Sequence, residues 1–453
     1  MVTPAVVIAA PASGTGKTTV ATGLMGALRR AGHRVAPFKV GPDYIDPGYH
    51  GLAAGRVGRN LDPVLTSPQL MQRLYRHGSA GCDIAVIEGV MGLFDGRISD
   101  GDNPVAEGST AQVAALLGLP VVLVVDARGH SQSLAATLHG FATFDSRVRL
   151  AGVILNHVGS PRHEQVLRQA AARVGLPVLG ALPRRADLAV PSRHLGLVTA
   201  AEHGSAATQA VQAMTDLVAR HVDVAEIAAL ASATVRAEPW DPAAAVEKVA
   251  GAPVVAVAGG PAFTFGYAEH RELLAAAGAD VRVFDPLHDR LPTGTAGLIL
   301  PGGFPEEHAA ALADNRPLCA AVAAAIERGM PVHAECAGLL YLCRSLDGHR
   351  MVGVIDADAE FTSSLTLGYR DAAALTDSVL WDAGARVRGH EFHRTRIRGA
   401  SGTAWGWRGP GGAARDGFVS GGVHASYLHT HPAAHPEAIQ RFVRNAARIA
   451  CPS

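Results

Sequence analysis

A glycine-rich turn placed directly between an apolar run and a helix-forming segment constrains the fold most. Residues 5–10, Ala-Val-Val-Ile-Ala-Ala, are typical of a buried strand, and residues 18–32 carry a helical pattern. Between them, residues 11–19 read Pro-Ala-Ser-Gly-Thr-Gly-Lys-Thr-Thr. This order is typical of a phosphate-binding loop, because N–H groups of the turn and of the helix N-terminus can then face phosphate oxygens.

The same turn predicts which residues contact ATP. Lys17 is expected to reach the outer phosphate oxygens, and Thr18 is expected to bind Mg²⁺. Pro11 stands where the pattern G-x-x-x-x-G-K-[ST] has its first glycine, and the alternative interpretation is a Gly/Ser turn that happens to precede a lysine. The expected ATP contacts from this segment are Gly14, Thr15, Gly16, Lys17, Thr18 and Thr19.

Short apolar runs alternate with helical patterns along the chain, which predicts two doubly wound α/β domains with mostly parallel sheets. The alternation fades near residues 200–250, where an Ala- and Pro-containing stretch precedes a second series. We expect an N-terminal ATP-dependent amide-forming domain over 1–235, a linker over 236–250 and a C-terminal glutaminase domain over 251–453. The predicted strands are 5–10, 34–39, 83–88, 120–126, 150–156 and 177–182, followed by 253–260, 279–285, 296–303 and 329–335.

Composition excludes several classes of protein. Forty basic residues balance forty acidic ones among the 453, so no overall field attracts nucleic acid or an anionic membrane. No apolar stretch approaches the roughly 18 residues that a membrane-spanning helix needs. The five cysteines are odd in number and show no C-x-x-C spacing, which argues against a disulfide framework. The sequence predicts a soluble cytoplasmic protein.

Acidic and amide side chains stand where predicted strands end, which is where α/β sheets collect ligands. Glu88 ends a strand and is the best-placed metal partner for Thr18, although it could be a solvated strand-end carboxylate. Asp43 and Asp46 follow another strand end, where a plain turn explains them equally well. Asn156 could read an adenine edge or could cap the next turn. The predicted metal ligands are Thr18, Glu88 and Asp43.

Cys336 lies in residues 331–342, where a buried strand changes abruptly into an apolar helix. A nucleophile at such a turn projects from it, and the helix N-terminus favours the thiolate. The N–H of Ala337 is one expected oxyanion donor, and Gly302 or Gly303 is expected to supply the second. The alternative interpretation is a small hydrophobic cysteine in a core.

A catalytic thiol needs a base from elsewhere in the chain. Residues 424–436 offer His429 and His431, and residues 390–393 add two more imidazoles. These histidines also suggest metal binding, but no i, i+4 helical pair is accompanied by a third ligand, so we prefer the base.

Distinctive strings occur along nearly the whole chain. They are APASGTGKTTV (10–20), PFKVGPDYIDPGYH (37–50), RNLD (59–62), IEGVMGLFDG (87–96), GSTAQVA (108–114), GVILNHVGSPRHE (152–164), PSRHLGLV (191–198), PGGFPE (301–306), HAECAGLLYL (333–342), GHEFH (389–393) and ASYLHTH (425–431). On these strings the chain closely resembles the cobyrinic acid and hydrogenobyrinic acid a,c-diamide synthases of cobalamin biosynthesis, a family in which Pro11 is ordinary. The N-terminal half is also similar to dethiobiotin synthetase.

The resemblance implies roles for individual residues. Cys336 would be the glutaminase nucleophile and His429 the residue that raises its nucleophilicity. Cys–His–Glu amidotransferases have a glutamate two residues after that histidine, where His431 stands here, so the resemblance leaves the residue that orients His429 open. The implied corrinoid contacts are Asp43, Tyr44, Asp46 and Asp95.

The resemblance also implies an ATP-dependent ligase that uses glutamine and a corrinoid, with a homodimer as the expected assembly. Ammonia from glutamine would attack an acyl phosphate formed on the a- and c-acetate carboxylates. A cobyric acid synthase, which amidates other corrinoid carboxylates, is the alternative enzyme. A ParA-like ATPase would need a lysine where Pro11 and Ala12 stand, and a scaffold with an inactive glutaminase would not need both Cys336 and His429.

Overall fold

The computed structural model describes residues 2–98, 106–184, 192–193, 196–399, 402–409 and 411–450. The chain divides into two compact units, Met1–Trp240 and Asp241–Ser453. This division falls inside residues 236–250, the predicted linker, while the functions assigned to the two predicted domains stay predictions. Within the string at 191–198, residues 191, 194 and 195 lie outside the described part of the chain.

The first unit is built on a seven-stranded sheet in which all strands are parallel. Its strands are β1 (Ala5–Ala9), β2 (Val35–Val40), β3 (Arg59–Leu61), β4 (Ile84–Glu88), β5 (Pro120–Asp126), β6 (Arg149–Val158) and β7 (Val178–Pro183). They lie in the order β3-β2-β4-β1-β5-β6-β7. The central strands β1, β2 and β4 are buried along their whole length, as expected for apolar runs covered by helices on both faces.

Helices connect these strands, and several begin at a side-chain cap. Ser67 Oγ accepts the N–H of Leu70, and Ser160 Oγ accepts the N–H of His163. The helices are α1 (Lys17–Arg30), α2 (Asp46–Ala54), α3 (Pro68–Gly78), α4 (Thr110–Leu117), α5 (Leu134–Thr143), α6 (Pro161–Arg173), α7 (Ala200–His203), α8 (Ser205–His221) and α9 (Val224–Leu230). A short antiparallel pair is formed by β8 (Ser192–Arg193) and β9 (Gly196–Leu197).

The second unit contains a six-stranded sheet that is parallel except at one edge. Its strands are β10 (Val254–Ala258), β11 (Asp280–Phe284), β12 (Thr295–Leu300), β13 (Val332–Glu335), β20 (Phe418–Ser420) and β21 (Val423–Ser426). They lie in the order β11-β10-β12-β13-β21-β20, and β20 is antiparallel to β21. Because β13 ends at Glu335, the next residue, Cys336, lies at the carboxyl edge of this sheet.

A mostly antiparallel sheet in the second unit was not predicted. It is dominated by a long hairpin whose exposed and buried residues alternate, so it lacks the continuous apolar runs that reveal parallel strands. Its strands are β14 (Cys343–Leu346), β15 (His349–Arg350), β16 (Ile355–Ala374), β17 (Arg386–Gly399), β18 (Trp405–Gly409), β19 (Gly412–Asp416) and β22 (His429–Thr430).

The helices of the second unit are mostly short. Among the described residues no single helix is long and apolar enough to cross a membrane, although the bent pair Pro305–Asp314 and Arg316–Glu327 reaches the length and composition required. The helices are α10 (Pro242–Ala245), α11 (Ala268–Ala276), α12 (Ala309–Asp314), α13 (Arg316–Glu327), α14 (Ala337–Leu342) and α15 (Pro436–Ala450), with 3₁₀ turns at Pro305–His308 and Pro432–Ala434.

Candidate active site

In the first unit, the glycine-rich turn leads from β1 into α1 through two left-handed residues. Gly14 has φ 78° and Gly16, the N-cap of α1, has φ 96°, conformations that favour glycine. The Lys17 ammonium donates to the carbonyls of Ala12 at 3.2 Å and Met91 at 2.6 Å. Burial lowers the pKa of Lys17 to about 8. The turn and its lysine therefore form one ordered loop at the carboxyl edge of the sheet.

Oxygen side chains meet beside the first turn of α1. Thr18 Oγ1 donates to Glu88 Oε1 at 2.7 Å and lies 3.4 Å from Asp46 Oδ2. Asp43 instead shapes its own turn, because its Oδ1 accepts the N–H groups of Ile45 and Asp46. The structure thus brings Thr18 and Glu88 together as the predicted metal ligands require, and Asp46 is the second carboxylate beside Thr18. A metal role for Asp43 stays a prediction.

Lys39 is a residue that the sequence analysis missed. Its Nζ lies 2.6 Å from Asp46 Oδ2, 2.9 Å from Glu88 Oε1 and 3.2 Å from the Gly89 carbonyl oxygen. Burial opposes the charge on Lys39, but the surrounding carboxylates raise its pKa above the usual value. Burial likewise opposes ionisation of Glu88, yet Lys39 and His50, whose Nε2 is 2.6 Å from Glu88 Oε2, hold the Glu88 pKa below its usual range. The available signal was a single charged residue inside the buried strand β2.

The remaining predicted residues of this unit support loops. Asn156 Nδ2 donates to the Thr15 carbonyl at 2.9 Å, which ties the end of β6 to the phosphate-binding turn. Asp95 Oδ2 accepts the N–H of Gly92 at 2.8 Å, and the side chain of Tyr44 is buried. Adenine recognition by Asn156 and corrinoid contacts by Asp95 and Tyr44 stay predictions.

In the second unit, Cys336 occupies a strained turn between β13 and α14. It has φ 47° and ψ −100°, and its N–H donates to the Ser426 carbonyl at 2.7 Å. Burial, followed by the charge of Glu306, raises the pKa of Cys336 well above its usual value. The N–H groups of Ala337 and Gly303 favour the thiolate and act in the opposite direction. The sequence predicts that the N-terminus of the helix lowers the pKa of Cys336. The N–H of Ala337 has this effect, but burial raises the pKa by more.

The turn that supplies the second N–H admits only glycine. A Cβ on Gly303 would lie 2.1 Å from the Ala262 carbonyl oxygen. A Cβ on Gly302 would lie 2.4 Å from His429 Cε1. Distances below about 3 Å are steric overlaps, so a side chain at either position would force its neighbours to move. Of the two glycines left open by the sequence, Gly303 is the one whose N–H lowers the pKa of Cys336, and its role as an oxyanion donor stays a prediction.

His429 is buried on β22, and a carboxylate that the sequence analysis missed stands beside it. His429 Nδ1 lies 3.5 Å from Oε2 of Glu335, the residue directly before Cys336. The ring of His431 instead packs 4.4 Å from the ring of Tyr267. The sequence could have directed attention to Glu335 only through its place next to the nucleophile.

The histidine-rich loops do not form a metal centre in the described part of the chain. No group of three or more His, Cys, Asp or Glu side chains there could hold a metal ion. Instead, Glu335 Oε1 lies 3.3 Å from His333 Nε2, and the rings of His333 and His270 are 5.6 Å apart. These buried imidazoles therefore pack beside the glutamate rather than around a shared ligand position.

Comparison with known protein families identifies both units. Residues 6–198 match the family model of the CobQ/CobB/MinD/ParA nucleotide binding domain, and residues 254–437 match the model of the CobB/CobQ-like glutamine amidotransferase domain. A nucleotide-binding P-loop domain followed by a glutamine amidotransferase domain defines a glutamine-hydrolysing carbon–nitrogen ligase.

Relatives that match almost the whole chain identify the family within this class of ligases. The hydrogenobyrinate a,c-diamide synthase of Mycobacterium tuberculosis (strain ATCC 25618 / H37Rv) is 62% identical over 447 residues, covering 98% of both chains. That of Streptomyces coelicolor is 54% identical over 475 residues, covering 97% of both. The cobyrinate a,c-diamide synthase of Gloeobacter violaceus is 43% identical over 453 residues, covering 98% of both. The chain belongs to this family of a,c-diamide synthases, which confirms the predicted resemblance and fold class.

Proposed function

We propose that this enzyme uses ATP and glutamine to amidate the a- and c-acetate carboxylates of hydrogenobyrinate. The observation that carries the proposal is Cys336, held at a strained turn at the N-terminus of α14, in a chain whose other unit holds an ordered phosphate-binding loop. The substrate rests on relatives 62% and 54% identical that bear the name hydrogenobyrinate a,c-diamide synthase. These names also favour it over the cobyric acid synthase alternative.

The first unit would activate the carboxylate. A carboxylate is a poor electrophile, so one of its oxygens attacks the γ-phosphorus of ATP, ADP leaves, and an acyl phosphate forms. Ammonia then attacks the acyl carbon, the bond from carbon to the phosphate oxygen breaks, and inorganic phosphate leaves with an amide as product. Lys17 lies in the loop that would bind the phosphates, where its ammonium can stabilise the charge that develops on them.

Thr18 and Glu88 suit the Mg²⁺ that accompanies ATP. Their oxygens are 2.7 Å apart and Asp46 Oδ2 lies 3.4 Å from Thr18, so the site offers the hard oxygen donors that this cation prefers. We propose that Thr18 and Glu88 hold the ion. When bound, Mg²⁺ would neutralise charge on the phosphate oxygens.

The second unit would release ammonia from glutamine. Because the pKa of Cys336 is raised, its thiol needs a base, and we assign this role to His429. The sulfur attacks the side-chain amide carbon, and the N–H groups of Ala337 and Gly303 stabilise the resulting oxyanion. His429 returns the proton to the leaving nitrogen, and water then hydrolyses the thioester to glutamate.

Assays with glutamine and with ammonium salts test the assignment of carboxylate activation to the first unit and ammonia release to the second. Cys336→Ala should fail to amidate hydrogenobyrinate with glutamine yet retain activity with ammonium salts at raised pH. Lys17→Ala should lose amidation with either source, because both require the acyl phosphate. Cys82→Ala, which removes a partly exposed thiol of the first unit, is the matched control and should behave like the unaltered enzyme.

Equal losses with both nitrogen sources in Cys336→Ala would contradict the assignment. A parallel assay with cobyrinate tests the proposed macrocycle. Faster amidation of cobyrinate than of hydrogenobyrinate would overturn that part of the proposal alone.

A further inference from the structure

We propose that Glu335 is the residue that positions His429 in the glutaminase site. The inference rests on the proposed function, because it concerns the base that would activate Cys336. Cys–His–Glu amidotransferases carry their glutamate two residues after the histidine, and His431 occupies that position here. In this chain the carboxylate comes from the strand that carries the nucleophile.

Contacts on one oxygen of Glu335 aim the other at His429. Oε1 accepts the backbone N–H of Thr430 at 3.1 Å and its hydroxyl at 3.3 Å, and it lies 3.3 Å from His333 Nε2. Oε2 then lies 3.5 Å from His429 Nδ1. This distance is longer than a strong hydrogen bond, as is common for catalytic pairs without substrate. The His429 side chain is fully buried and that of Glu335 is only 12% exposed, so water screens their interaction weakly.

The charge of Glu335 selects one tautomer of the imidazole. Burial opposes ionisation, but the neighbouring imidazoles of His333 and His429 hold the Glu335 pKa well below its usual value. An ionised carboxylate only accepts hydrogen bonds, so the neutral His429 ring carries its proton on Nδ1. Nε2 is then the acceptor that can take a thiol proton.

The edge of the His429 ring that carries Cε1 and Nε2 faces the turn formed by Gly302 and Gly303. A Cβ on Gly302 would lie 2.4 Å from His429 Cε1 and 3.2 Å from Nε2, so this edge of the ring packs against Gly302. The N–H of the next residue, Gly303, favours the thiolate of Cys336. The tautomer that Glu335 selects therefore presents the Nε2 lone pair toward the turn whose next N–H acts on the nucleophile.

His431 does not replace the missing glutamate. Its buried ring packs against Tyr267, with ring centroids 4.4 Å apart. The residue between the two histidines, Thr430, uses its N–H and hydroxyl to hold Glu335. The segment that lacks the usual glutamate thus binds one from the end of β13.

Glu335→Gln in the full chain is the test, because the two side chains have nearly the same shape. Three donors face Oε1, so the glutamine oxygen should take that place and its NH₂ should face His429 Nδ1. The ring should then carry its proton on Nε2, the wrong nitrogen for accepting the thiol proton. We expect kcat for glutamine hydrolysis to fall by about 10²–10⁴-fold with KM little changed, and ammonia-dependent amidation to persist.

Two-bond ¹H–¹⁵N spectra of ¹⁵N-histidine-labelled enzyme report the tautomer, with the His429 signal assigned from His429→Gln. Wild type should show the Nδ1–H form and Glu335→Gln the Nε2–H form. Glu437→Gln is the matched control, since it alters an exposed glutamate whose Oε1 lies 3.3 Å from His435 Nδ1. It should leave both glutamine hydrolysis and the His429 signal unchanged.

An Nε2–H form in wild type overturns the proposal, as does an unchanged tautomer with unchanged kcat in Glu335→Gln. If Glu335→Gln also loses ammonia-dependent amidation, its fold is damaged and the wild-type spectrum decides. Failure of the proposed function would be distinguished from failure of the Glu335 proposal, because Cys336→Ala would then keep its glutamine-dependent activity.

Discussion

Lys39 holds two buried carboxylates together beside the phosphate-binding loop. Its Nζ lies 2.6 Å from Asp46 and 2.9 Å from Glu88. Lys39→Met keeps most of the aliphatic stem but leaves both carboxylates without their cation. We expect the free energy of unfolding to fall by about 3–5 kcal/mol, measured by urea unfolding followed by circular dichroism.

Arg34→Met is the control for this change. It removes the cation of an exposed pair with Asp83, which water and salt screen, so the urea midpoint should barely move. Equal losses of stability in Arg34→Met and Lys39→Met would show that burial does not increase the contribution of the Lys39 contacts to the free energy of unfolding.

At the scale of single residues, the candidate site residues that could be proposed from the sequence are those that lie in local motifs. Thr18 and Lys17 follow from one short string, and Glu88 follows from its place at a strand end. Lys39 and Glu335 were missed because each has a decisive partner that is remote in sequence, Glu88 for Lys39 and His429 for Glu335, and these contacts depend on the fold. Lys39 meets Glu88 because β2 lies directly beside β4, with these two residues in register.

Among the helices, the contact between α1 and α8 depends on a glycine. A Cβ on Gly26 would lie 2.1 Å from Thr215 Oγ1. Alanine has the higher intrinsic helix propensity, by about 1 kcal/mol, but this overlap should outweigh it. We expect Gly26→Ala to lower the free energy of unfolding by about 1–3 kcal/mol in urea titrations.

A second substitution separates overlap from propensity. Thr215→Ala removes the overlapping hydroxyl and methyl groups, so adding it to Gly26→Ala should restore most of the lost stability. Gly140→Ala on α5 is the control, since nothing lies within 4 Å of the added Cβ, and it should slightly stabilise the protein. Non-recovery in the double variant would contradict the packing explanation.

At the scale of helices and strands, predictability followed the pattern of burial. All ten predicted strands are present, and most of them are buried apolar runs in a parallel sheet. The strand β11 is an exception, because it contains Asp280 and Arg282 and is mostly exposed. The strands β16 and β17 were missed because exposed polar and charged residues alternate with buried residues along them. The short β22 has no pattern of its own, yet it carries His429, so the geometry around this residue could not be derived from sequence.

The second unit as a whole buries several histidines that the proposed reaction does not use. Burial, together with the positive charge of neighbouring histidines, lowers the pKa values of His270, His390 and His424 to about 3. The unfolded chain would titrate these groups near about 6.5. Between these values the unfolded state binds more protons than the folded state, so stability falls as the pH falls.

This difference predicts an acid-sensitive second unit. Between pH 7.5 and 5.5 each of His270, His390 and His424 should remove about 1.4 kcal/mol of unfolding free energy, or about 4 kcal/mol together. Burial raises the pKa of Asp416 to about 7, so its protonation returns about 2 kcal/mol over the same range and leaves a net loss of about 2 kcal/mol. Urea unfolding read by hydrogen exchange of β21 measures this loss at the two pH values. His424→Gln cannot take up the proton, so its loss between the same pH values should be smaller by about 1.4 kcal/mol. His288→Gln, which alters an exposed ring, should keep the full pH dependence of wild type, and a reduced dependence there would contradict the assignment to the buried histidines.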